Sequence, residues 1–192
     1  VAITRVQTGT AVTSTGTGSI TPTLPAGATA GNTILVLTGG NWPTTAPTIN
    51  APGGAGWSKD SFNDTGSAAG AHVFSKTAAG GETSMGAFTM STGTRDLWAV
   101  AIEYSPLTLD ITVNNGSSTT STTPNTGTTG GSTAVAVELA IAAIANVNTN
   151  AFTAQALIAG STISGGTATK LGEAASTNAT VAQRVIGRAV EY

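Results

Sequence analysis

The chain is sparing with side chains that can do chemistry, and it gathers several of them in one place. Residues 57–66 read WSKDSFNDTG and residues 71–82 read AHVFSKTAAGGE, so Trp57, Lys59, Asp60, Phe62, Asp64, His72, Phe74, Lys76 and Glu82 share one short stretch. Each chemistry such a set allows makes its own demands. Zinc needs several His, Cys or carboxylate ligands converging. His72 is the only histidine and there is no cysteine, so Asp60, Asp64 and His72 would have to meet across a hairpin. The simpler reading of His72 is a strand residue facing solvent. Calcium takes oxygen ligands, which Asp60, Asn63 and Asp64 offer, but DSFNDTG is not an EF-hand loop. An Asp/Asn turn before Gly66 accounts for it without a metal.

The remaining chemistries find less. A serine nucleophile needs a base, again His72, and the chain has no G-x-S-x-G elbow. A glycosidase needs two carboxylates flanking a cleft; Glu103 with Glu138 is one pairing among several, and no pattern selects it. GGAGWS leads into a strand pattern, whereas a phosphate-binding loop leads into a helix. No catalytic residue, cofactor or metal site is therefore expected. Exposed tryptophans can stack on sugars. Trp98 lies inside an alternating strand and Trp57 follows APGGAG, and both read as core. Trp42, in the loop GGNWPTT, is the candidate for an exposed aromatic that contacts a glycan. Asn63, Asn115 and Asn178 each begin an N-x-Ser/Thr triplet, as expected by chance in a chain this rich in Thr and Asn.

These side chains must be positioned by strands. The chain has 192 residues, a length that all-β single domains often reach, and it is read as one domain over 1–192. NTILVLTGG at 32–40 is a short apolar run suited to a buried strand. GWSKDSFN and AHVFSKTA alternate with period two around the turn-rich NDTGSAAG, so 56–78 reads as a β-hairpin. RDLWAVAIEYSP at 95–106 places Leu97, Ala99, Ala101 and Glu103 on one face and Trp98, Val100, Ile102 and Tyr104 on the other. That pattern predicts a sheet with one wall on a core. Residues 113–133 form a Ser/Thr/Gly segment of low complexity, read as a polar strand or edge rather than a linker. Residues 134–147, AVAVELAIAAIANV, are Ala-rich, which favours helix, but Val135, Val137, Leu139 and Ile141 are spaced by two, and a strand is expected. TKLGEAAS and TVAQRVIGRAVEY close the chain as another antiparallel pair. The fold class expected is all-β: a two-sheet antiparallel β-sandwich, jelly-roll-like. Its core should include Ile34, Val36, Trp57, Phe74, Trp98, Val100, Ile102 and Ile141.

Charged residues make up 8% of the chain, against about 25% in an ordinary soluble domain. The net charge is −2 and the seven Lys/Arg are scattered singly, so no basic stripe exists to follow phosphates and no nucleic-acid partner is expected. The longest apolar run, 134–147, is too short to cross a bilayer as a helix and carries Glu138. The opening VAITRVQTGTAV has no charged region before a long apolar core, so no signal peptide is expected in it. So few charges allow close contact between copies of the chain.

The order of these segments resembles a family of β-sandwich domains in tailed-phage virion proteins. The resemblance runs through LPAGATAGNTILVLTGG, GWSKDSFND, AHVFSKTAAGGET and FTMSTGTRDLWAVAIEYS, roughly residues 18–106, with a weaker echo toward the C-terminus. Pro106 stands where the family usually has Gly after EYS, a departure confined to a turn. The resemblance implies a structural or adhesive module on a virion surface, either a tail component or a capsid decoration, and it brings no catalytic residues. The partners expected are other copies of the chain, other virion proteins and, through Trp42, a host-surface glycan. A carbohydrate-binding module and a subunit of a bacterial or archaeal surface filament are the rival readings.

Overall fold

A computed structural model describes residues 3–41, 48–62, 69–91, 95–110, 139, 141–146, 169–178 and 183–191. Twelve strands occur among them, with no helix, and every strand pairing is antiparallel. The all-β expectation is met.

In the first half, β1 spans Arg5–Thr8, β2 Val12–Ser14, β3 Ser19–Ile20, β4 Thr33–Asn41, β5 Ile49–Asn50 and β6 Ser58–Phe62. The rest are β7 Ala69–Thr77, β8 Phe88–Met90, β9 Leu97–Tyr104, β10 Ile141–Asn146, β11 Thr169–Asn178 and β12 Gln183–Glu191. The main sheet runs β1-β9-β4-β7-β6, with β2 also pairing with β9. Two smaller sheets are ordered β3-β8-β5 and β10-β12-β11. The expected hairpins are present as β6–β7 and β11–β12.

The two faces of the main sheet feed two different cores. Ile34, Val36, Phe74, Leu97, Ala99 and Ala101 pack with Ile20, Ile49, Phe88 and Met90 of the β3-β8-β5 sheet. Leu35, Leu37, Trp98, Val100, Ile102 and Tyr104 form the other core, against which Leu139, Ile141, Ala143 and Ala145 rest. The face assignment read from β9 is therefore correct, but the expectation of a single covered wall is not. All eight residues of β9 are buried. Alternation sorts side chains by face; it reports a solvated face only when one set is polar, and here both sets are apolar apart from Glu103.

Strand β4 runs straight through its glycine pair instead of ending there. A Cβ on Gly39 would lie 2.5 Å from the Gly70 carbonyl oxygen and 2.6 Å from Trp98 Nε1. Gly39 is thus the space that the Trp98 indole occupies. At the same end of the strand, Asp96 Oδ1 accepts a bond from the Gly16 N–H at 2.8 Å, and Asn41 Oδ1 accepts one from the Asp96 N–H at 3.1 Å.

Of the expected core, Ile34, Val36, Phe74, Trp98, Val100 and Ile102 are buried. Trp57 and Ile141 are only half-buried. Trp57 precedes β6 and Ile141 opens β10, and among the described strands each of these stands at the end of its sheet. Of 134–147, residues 141–146 are strand as expected. Trp42, Asn63, Asp64, 113–133 and Glu138 lie outside the described residues, and so do the readings placed on them.

Candidate functional site

The β6–β7 hairpin brings its aromatic residues into one continuous row. The rings of His72 and Phe74 are stacked at 5.9 Å and 7°, because i and i+2 of a strand share a face. Phe62 stands opposite His72 in the register and stacks on it at 6.3 Å. Phe74 meets Phe88 edge-on at 5.2 Å, and Phe88 meets Trp57 edge-on at the same distance. The row descends from Phe62, which is 40% exposed, into the core.

His72 is fully buried, which corrects the expectation that it faces solvent. The signal was present in the sequence: in AHVFSK, His72 shares the face of Phe74, and Phe74 is core. Asp60 is on this hairpin too, but as the extra residue of a β-bulge between Lys59 and Ser61. Burial raises its carboxyl above the ordinary value, and a hydrogen bond with Ser75 works against that rise. Among the described residues, no three His, Asp or Glu converge as a metal site would require.

The cations of the hairpin serve its aromatics. Lys59 Nζ lies 4.6 Å from the centre of the Phe62 ring, and Lys76 Nζ lies 5.2 Å from that of Trp57. Such contacts fix a cation over a ring with modest energy. Lys76 also pairs with Glu82 Oε1 at 3.2 Å.

Glu82 belongs to a second arrangement that the sequence did not disclose. Its carboxylate accepts bonds from the Ala79 and Gly80 N–H groups at 2.8 and 2.7 Å, closing the turn after β7. Burial would raise its pKa; these bonds and the Lys76 ammonium outweigh it and hold the group at about 2. This turn interlocks with the loop at 24–32. Ala28 N–H donates to the Glu82 carbonyl at 3.0 Å, and Gly81 N–H donates to the Ala28 carbonyl at 2.7 Å. Gly81 has φ 81°, the left-handed region that favours glycine.

Glu103 pins the other side of the same loop. It is fully buried. Its Oε1 accepts from the Thr29 N–H at 2.8 Å and from Asn32 Nδ2 at 2.6 Å, while Oε2 accepts from Gln7 Nε2 at 2.5 Å. Gln7 in turn exchanges two bonds with the backbone of Ala26, at 3.1 and 3.0 Å. Burial alone would raise the Glu103 pKa; the bonds from Gln7, Thr29 and Asn32 reverse that and hold it below the ordinary glutamate value. An ionised carboxylate with both oxygens occupied is a brace. It is poorly suited to act as the general acid of a glycosidase, which must hold a proton. The carboxylate on the apolar face of β9 was itself the available signal, since a buried charge requires partners. Which loop would supply them was not readable.

Searches of family models, curated proteins and solved structures returned no match to this chain.

Proposed function

We propose that this chain is a non-enzymatic structural module of a tailed-phage virion, a tail component or a capsid decoration, with a jelly-roll-like sandwich build. The observation that carries the reading is the use made of the segments that bear the resemblance. PAGATAGN supplies Ala26, Thr29 and Asn32 to the brace; EYS supplies its Glu103 anchor; and AHVFSKTAAGGET supplies the Lys76–Glu82 pair. These polar residues hold backbone to backbone at one end of the sheet. That is the demand on a module whose task is to keep its shape among neighbours.

The module works at the particle surface, through contacts with other copies and other virion proteins. With 8% charged residues, those contacts draw on hydrogen bonds and apolar area, so they depend weakly on ionic strength. The test is immunogold electron microscopy of purified phage particles with antibodies raised against the chain. Labelling of heads or tails at a regular position supports the reading. Absence of the chain from particles, together with retention on a glycan array, would overturn it in favour of a carbohydrate-binding module.

A further inference from the structure

We draw no further inference here: the strongest candidate, the exposed, uncharged patch of small residues that the loop at 24–32 and the turn at 79–81 present at the braced end of the main sheet, carries nothing, because nothing in the structure shows what covers it.

Discussion

Replacing Glu103 by Gln tests the brace with the least change in shape. Three donors converge on the carboxylate, from Gln7, Thr29 and Asn32. A glutamine keeps one oxygen, which can serve Thr29 and Asn32 without the charge. Its amide nitrogen then replaces Oε2 and faces Gln7 Nε2, donor against donor. Turning the Gln7 amide over to relieve this forfeits both of its bonds to Ala26. A hydrogen bond to a charged group contributes about 1.5–3 kcal/mol, so losing one and weakening two should cost about 2–4 kcal/mol. The pH dependence has a definite sign. The folded carboxyl lies below the ordinary value of 4.5, so its contribution is complete above that value. It is lost as pH falls through the folded pKa. Urea unfolding of parent and Glu103→Gln, stepped from pH 7 to about pH 3, should therefore show curves well separated at neutrality and converging in acid. Equal midpoints at pH 7, or a gap that persists unchanged in acid, would refute the charged-brace argument.

Three further outcomes follow from the packing and the turns. Trp98→Ala should cost about 3–5 kcal/mol in denaturant unfolding, since the indole is fully buried in the second core. Gly39→Ala should cost about 1–3 kcal/mol in the same assay, because its methyl would press on the Gly70 carbonyl of β7 and on Trp98, and the backbone cannot move aside as a side chain can. The contribution of Glu82, with a pKa near 2 against an ordinary 4.5, should be present in full above pH 4.5 and fade as the pH approaches 2; Glu82→Gln should remove that acid-sensitive part of the thermal midpoint.

Period two sorted β9 correctly, residue by residue, because a strand leaves no freedom in which face a side chain takes. What covers a face is a tertiary matter. Ala99 and Ala101 were apolar enough to signal a second core, yet small enough to pass as filler beside Trp98. His72 was misjudged for a related reason: its polarity was weighed above its place on the Phe74 face. Trp57 and Ile141 were expected in the core, but among the described strands Trp57 precedes and Ile141 opens a strand at the end of its sheet. The brace was legible by half. A carboxylate among Leu97, Ala99 and Ala101 announced a need for donors, while Gln7, Thr29 and Asn32 are separated from it by 71 residues or more. Long-range pairing of that kind leaves no local pattern.

Strands β4 and β9 each contribute alternate residues to both cores. Those two strands cannot leave one core without leaving the other. The two are therefore coupled, and damage to one should be felt as lost cooperativity in both. Amide hydrogen exchange should find the slowest protons in β4 and β9, opening together at the free energy of global unfolding. A substitution in the β3-β8-β5 layer should then accelerate exchange in β10 as well, although no residue of the two layers need touch.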